Sequence, residues 1–174
     1  MRAFVKLRNH DSVNQAVQPS FLTVMIASGL YSGYVPAFSG TVGSIVAILF
    51  YAIPGFESAI PMIPIVLLSF LAGIFTSATL ERRYGHDPAE VTIDEIVGMW
   101  ITLLLLPKTF LITILAFILF RFFDIIKPFP IQKIDALSGG LSIMLDDVVA
   151  GIYGNICIHL LLLIPFLKNI FLKL

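Results

Sequence analysis

The sequence predicts an all-α fold: a compact helical membrane bundle of about six helices, with its polar loops gathered at one end. Three observations carry that prediction. Hydrophobic residues make up 58% of the chain and charged residues 13%, with a mean hydropathy of +0.98; a soluble domain is nearer half apolar and a quarter charged. Long stretches carry no charge at all: 12–56, 58–80 and 148–167, while only Lys108 interrupts 96–120. Apolar runs of roughly 18 residues or more are the usual signal of a membrane helix. The apolar residues do not alternate with period two, so helices rather than a closed barrel must satisfy the backbone in lipid.

The elements follow in order. Residues 1–19 form a basic N-terminal segment, and 20–174 read as a single helical membrane domain. The segment is basic, yet no continuous apolar core follows at once. It fits a cleaved signal peptide poorly, and the first apolar span is expected to stay in the mature protein. A short helix is predicted at about 20–31. Gly29, Gly33 and Pro36 then break the helix into a loop to about residue 40. A second helix is predicted at about 41–53, stopped by Pro54-Gly55, and a third at about 61–81, ending at Glu81-Arg82-Arg83. Residues 92–126 present a choice. One straight helix would hold Asp94 and Asp124 roughly 45 Å apart at 1.5 Å per residue. A hairpin turning at Pro107-Lys108 would return both to one end. Pro107 disfavours helix at Leu106, and a lysine is costly at mid-membrane, so the hairpin is preferred. The last helix is predicted from about 143 to beyond 160.

Alternating helix directions then place the loops near 32–40, 82–93 and 127–142 on one face. The turns near 54–60 and 107–108 fall on the other. If the first helix is re-entrant or interfacial, Arg2, Lys6 and Arg8 join Arg82, Arg83, Lys127 and Lys133 on the motif face. That face is then the positive, cytoplasmic one. Formal net charge is zero, so no basic footprint argues for nucleic acid. The one cysteine, Cys157, cannot form an intrachain disulfide.

Four constellations concentrate polar chemistry on the motif face. In "HDPAEVTIDEIVGMW", Asp94 and Glu95 stand at the start of an apolar helix. One acid there could simply match the helix dipole, but two call for more. In "RFFDIIKPFP", Arg121 and Asp124 are three apart and share a helical face, and Lys127 follows as the helix yields to Pro128. In "GGLSIMLDDVVAG", Asp146 and Asp147 lie in the early turns of a helix that continues into an apolar run. Paired carboxylates repel and lose hydration there unless a cation neutralises them. Hard oxygen donors suit magnesium, whereas His10, His86 and His159 are too scattered for a zinc site. In "FSGTVGSI", Gly40, Thr41, Gly43 and Ser44 open a helix, where backbone amides and hydroxyls can receive an anion. Together the four imply a metal-assisted phosphate site at a membrane surface.

The same residues resemble the phosphatidylglycerophosphatase A family of magnesium-dependent bacterial membrane lipid phosphatases. The likeness covers about 28–155. It rests on Gly40-Thr41-Val42-Gly43-Ser44, Asp87-Pro88, Ile93-Asp94-Glu95-Ile96-Val97-Gly98-Met99-Trp100, the stretch from Arg121 to Pro130, and Gly139-Gly140 with Asp146-Asp147-Val148-Val149-Ala150-Gly151. The family usually shows Pro-Gly-Thr in the first loop, where this chain has Ser39 before Gly40.

The resemblance implies that 20–174 is a phosphatase domain hydrolysing phosphatidylglycerophosphate to phosphatidylglycerol and inorganic phosphate. It also implies a multi-pass protein of the bacterial inner membrane with its site facing the cytoplasm. Asp94, Asp124 and Asp146 or Asp147 are then expected on magnesium, with Glu95 as ligand, outer partner or base. Arg121 and Lys127 would neutralise phosphate oxygens, helped by Gly40, Thr41 and Ser44. Two other classes compete. A magnesium-dependent phosphatidyltransferase also clusters aspartates, but its interleaved Gly and Ala-Arg run is absent. A small transporter would spread polar groups through the membrane depth rather than collect them at helix ends.

Overall fold

The computed structural model describes residues 13–173; Arg2, Lys6, Arg8 and His10 of the basic segment lie outside the described residues. The described residues are helical with no strand. The helices are α1 (Phe21–Ala27), α2 (Ser39–Ala52), α3 (Ala59–Tyr84), α4 (Ile93–Leu103), α5 (Phe110–Ile126), α6 (Ile131–Asp135), α7 (Gly140–Leu162) and α8 (Pro165–Lys173), with a 3-10 turn at Ser32–Tyr34.

The expected first helix is shorter than the sequence suggested. Ser20 caps α1 by accepting from Thr23 N at 3.2 Å, but the helix ends at Ala27. Gly29, Leu30 and Tyr31 all take positive φ, which no α-helix continues through. Seven residues rise only about 10 Å, so α1 cannot span a bilayer. The hairpin is present: α4 stops at Leu103, the chain turns through 104–109, and Thr109 caps α5 by accepting from Ile112 N at 3.3 Å. Two helices were not anticipated. The five-residue α6 lies within the expected loop after Pro128, and α8 follows Pro165.

Only α3 and α7 are long and apolar enough to cross a membrane among the described residues. Their 26 and 23 residues give lengths of about 39 and 35 Å, against a hydrocarbon layer of about 30 Å. The 14 residues of α2, 11 of α4 and 17 of α5 give only about 21, 16 and 25 Å.

The short α4 is the centre of the bundle, with every residue buried except Ile101. It packs most closely on α7, where small residues let the two backbones meet. A Cβ added at Gly151 would fall 2.4 Å from the Gly98 carbonyl oxygen. That is the close approach small residues permit between membrane helices. Asn155 on α7 donates to the carbonyls of Thr102 and Leu104 at 3.1 and 2.8 Å, satisfying the end of α4. Trp100 donates to Ala47 O at 2.9 Å and ties α4 to α2. The outward faces are apolar: Ile60, Leu68 and Phe75 on α3, Phe110 and Ile118 on α5, and Leu160 on α7 are exposed. A surface of that kind suits lipid better than water.

Candidate active site

The site forms where α4 begins. Its position is set by the loop before it, which docks on the 3-10 turn. Thr92 N donates to Ala27 O at 2.9 Å, and the hydroxyls of Thr92 and Ser32 lie 2.8 Å apart. Gly33 sits so close that a Cβ there would meet Glu90 O at 2.1 Å. With its start held, α4 presents Asp94 and Glu95 in its first turn, at the positive end of the helix dipole.

Asp147 arrives from the third turn of α7. One carboxylate oxygen from each of Asp94, Glu95 and Asp147 lies within 4.8 Å of the others. All three residues are buried, at 2%, 2% and 3% exposure. Asp147 Oδ2 is buried and has no hydrogen-bond partner. Asp124, Asp146, Asp94 and Glu95 all act electrostatically on Asp147, so five carboxylates share one neighbourhood.

Arg121 and Asp124 meet as the sequence spacing predicts, with Arg121 Nη1 2.8 Å from Asp124 Oδ2. The buried Arg121 Nε has no hydrogen-bond acceptor. The start of α2 closes this side. A Cβ on Gly40 would fall 2.5 Å from Glu95 Oε1 and 2.9 Å from Arg121 Nη1. The first-turn amides of α2 have no side-chain cap and therefore remain available to an anion. Thr41 is half-buried in the same turn. Ser44 points elsewhere: its hydroxyl donates back to Gly40 O at 2.9 Å within its own helix.

Lys127 caps α5 in the left-handed region, at φ 48°. Its ammonium lies 2.8 Å from Asp146 Oδ2 and also bonds Asp135 on α6. Burial alone would lower its pKa, but the carboxylates of Asp146 and Asp135 win and hold it above the usual lysine range. The adjacent aspartates of α7 are thus divided. Asp147 joins Asp94 and Glu95, while Asp146 pairs with Lys127. Successive helical residues point about 100° apart, which permits the division.

Three acids outside the expected set also help to shape the site. Asp135 holds Lys127 from the far side. Glu81 accepts from Gly139 N at 2.8 Å and lies 3.1 Å from His86 Nδ1, pinning the start of α7 to the end of α3. Glu90 is buried in the loop before α4. No local spacing marks these three. Only the folded path of 127–140 brings Asp135 to Lys127. Asp87, at φ 43°, adds its charge to the surroundings of Lys127.

The donor set fits magnesium. The oxygens are hard, buried and converging, and negative charge remains after Arg121 and Lys127 are counted against the five carboxylates. Buried like charges at this spacing are costly without a cation. Magnesium takes carboxylate oxygens and leaves places for water and phosphate. No His or Cys belongs to the cluster of Asp94, Glu95 and Asp147.

The family model described as phosphatidylglycerophosphatase A matches residues 25–162. A Bacteroides thetaiotaomicron protein provisionally named a phosphatidylinositol-3-phosphatase is 40% identical over 149 residues, covering 81% of this chain and 94% of its own. The phosphatidylglycerophosphatase A of Escherichia coli is 34% identical over 148 residues, covering 83% and 86% respectively. That of Haemophilus influenzae is 37% identical over 141 residues, covering 77% and 85%. No solved structure gives a significant match.

Proposed function

The chain belongs to the phosphatidylglycerophosphatase A family, and from that membership and the site's geometry we propose that it hydrolyses the terminal phosphate of phosphatidylglycerophosphate. The products are phosphatidylglycerol and inorganic phosphate. The reaction makes the protein a phosphoric monoester hydrolase of phospholipid synthesis. The observation that carries the reading is the convergence of Asp94, Glu95 and Asp147 within 4.8 Å, with the Arg121 guanidinium and the start of α2 at its side.

Asp94, Glu95 and Asp147 would hold magnesium. When bound, that ion lowers the pKa of water and offsets charge on the phosphoryl group. The protein's own groups bind and orient the substrate. Arg121 offers a planar fork to phosphate oxygens, and Asp124 fixes its direction. The uncapped amides of α2 supply further donors to the same anion. Lys127, clamped between Asp146 and Asp135, adds positive charge beside the site. In the net reaction the bond from phosphorus to the glycerol oxygen breaks. Water supplies the new phosphate oxygen and the proton of the released hydroxyl.

The protein is embedded in a bilayer, with the apolar faces of α3, α5 and α7 toward the lipid. Among the described residues, Arg82, Arg83, Arg121, Lys127 and Lys133 lie toward the site end and Lys108 and Lys168 toward the other. The positive-inside rule therefore turns the site to the cytoplasm.

Phosphate release by the purified protein, with magnesium and with a chelator, tests the reading. Turnover of phosphatidylglycerophosphate that stops on chelation is expected. Magnesium-dependent release from phosphatidylinositol 3-phosphate alone would move the substrate to the one named for the Bacteroides relative. That reading keeps the site chemistry, since both are lipid phosphomonoesters. Absence of turnover on either lipid would refute the phosphatase reading.

A further inference from the structure

We propose that the groove between α2 and α5 is the acyl-chain subsite, holding one fatty-acyl chain of a glycerophospholipid whose headgroup lies at Arg121. The inference rests on the lipid-phosphatase reading above and adds where the lipid lies. The groove has a volume of about 460 Å³ and is walled by Ile45 and Ile48 on one side and Phe110, Thr113 and Phe117 on the other. Both walls pack on α4 and touch each other little, which leaves the furrow open along its length.

Its polar atoms are turned away. Thr113 Oγ1 donates to Thr109 O at 2.9 Å, and Thr109 Oγ1 to Phe171 O at 2.9 Å. Lys108, at the far end, spends its ammonium on Ala52 O, Ile53 O and the Glu57 carboxylate. What remains facing the furrow is almost entirely hydrocarbon; Tyr51 also lines it, its hydroxyl buried and without a hydrogen-bond partner.

Alignment with the site identifies the occupant: the lining reaches Ile45 and Phe117, about 6 Å of helix rise short of Arg121. Phe110, Phe117 and Arg121 lie along one face of α5, at helical spacings of seven and four. On α2, Ile48, Ser44 and Gly40 step by four toward the same head, where Gly40 meets Arg121. From Arg121 to Phe110 the rise is about 16 Å, close to one leaflet of a hydrocarbon layer about 30 Å thick. A chain laid along the furrow would therefore end near Lys108 with its headgroup at Arg121.

A second apolar groove runs between α3, α4 and α7, past Ile63, Leu67 and Ile101. It also nears the site, through Val97 and Val148, but no residue of α5, the helix of Arg121, lines it. At its upper end Met144 is seated on Gly73, where a Cβ would fall 2.5 Å from Met144 Sδ, with Ile93 beside it.

Lipid tails are as apolar as the groove, so solvent exclusion gives little. Holding one chain in the furrow instead fixes the headgroup over the site, an effect of positioning. The test therefore compares chain lengths. Phosphate release is measured in mixed micelles on long-chain phosphatidylglycerophosphate and on its dihexanoyl analogue. Ile48→Trp and Thr113→Trp fill the groove from opposite walls, and Val66→Trp fills the other groove as a control. The groove variants should lower the long-chain to short-chain ratio of kcat/KM by about tenfold, a modest share of what misplacement can cost. The control should leave the ratio unchanged. An unchanged ratio in both folded groove variants, or an equal fall in the control, overturns the proposal.

A second measurement needs no variant. Phosphatidylglycerol carrying a diazirine in its acyl chain is cross-linked to the wild-type protein and the adduct mapped. Adducts on 45–52 and 110–117 support the groove; adducts confined to 63–70 overturn it. If the wild type hydrolyses neither chain length, the phosphatase reading fails, while the adduct map still decides whether the furrow holds a lipid chain.

Discussion

Replacing Gly40 by alanine separates the site from the fold. Gly40 lies in the first turn of α2, where alanine is at least as good a helix former as glycine, by up to about 1 kcal/mol in a helix interior. No backbone of another element lies among the nearest neighbours of the added methyl group. What it meets are the ends of two side chains, Glu95 Oε1 at 2.5 Å and the Arg121 guanidinium nitrogens at 2.9 and 3.1 Å. Ordinary contact begins near 3.4 Å, so Glu95 must retreat by about 1 Å and Arg121 by about half that. Those are the carboxylate proposed for the metal and the guanidinium proposed for the phosphate. A misplacement of about 1 Å in a reacting constellation costs on the order of 100-fold in rate. Gly40→Ala should therefore lower kcat/KM for phosphatidylglycerophosphate by about 100-fold and leave Tm in detergent equal or slightly raised. Phosphate release and a melting curve on the same preparation read both quantities. Activity within about threefold of wild type at an unchanged Tm would refute the placement of Gly40 against the working groups. Loss of activity together with a collapse of Tm would instead make its role structural.

Three further outcomes follow from the same geometry. Asp147→Asn removes one converging oxygen anion, so the magnesium needed for half-maximal activity should rise at least about tenfold; because like-charge repulsion with Asp94 and Glu95 is also relieved, Tm in chelator should rise rather than fall. Arg121→Lys keeps charge but loses the fork, and should lower kcat/KM by about one to two orders of magnitude with little change in magnesium requirement. At the other end of the bundle, the bond from Lys108 holds the Glu57 carboxyl below its ordinary 4.5, so its stabilising effect is present above that value and is lost as pH falls through the depressed folded pKa. Melting curves of wild type and Glu57→Gln should differ near neutrality and converge in acid, while a constant gap would show that the carboxylate charge is not what matters.

Much of this arrangement was legible because lipid restricts what a chain can do. Charge-free runs named the helices, and the expense of Lys108 and the break at Pro107 named the hairpin. The hairpin in turn brought Asp94 and Asp124 back to one end. The boundaries that escaped have local physical causes. The first helix stops at Ala27 because three successive residues take positive φ, and only Gly29 among them advertises it. The short α6 has too few residues to show a period. Asp135 and Glu81 act through bonds to Lys127 and to Gly139 N, made across reversals of the chain that leave no spacing in the sequence.

The paired acids show the same limit at finer grain. Asp94-Glu95 and Asp146-Asp147 look alike as sequence, and adjacent helical residues diverge by about 100° in both. The first pair nevertheless meets in one cluster and the second does not. Glu95 has an extra methylene with which to swing its carboxylate back toward Asp94, and the absent side chain of Gly40 leaves it room. Asp146 has neither the reach nor the need, because Lys127 lies 2.8 Å away to neutralise it. The left-handed cap at Lys127 and the Asp135 bond hold that ammonium in place, so the division of labour on α7 is imposed from α5 and α6. Cutting the Lys127 bonds would remove the ammonium that neutralises the buried Asp146 beside Asp147. The cluster would then have to absorb one more negative charge before any substrate phosphate arrived.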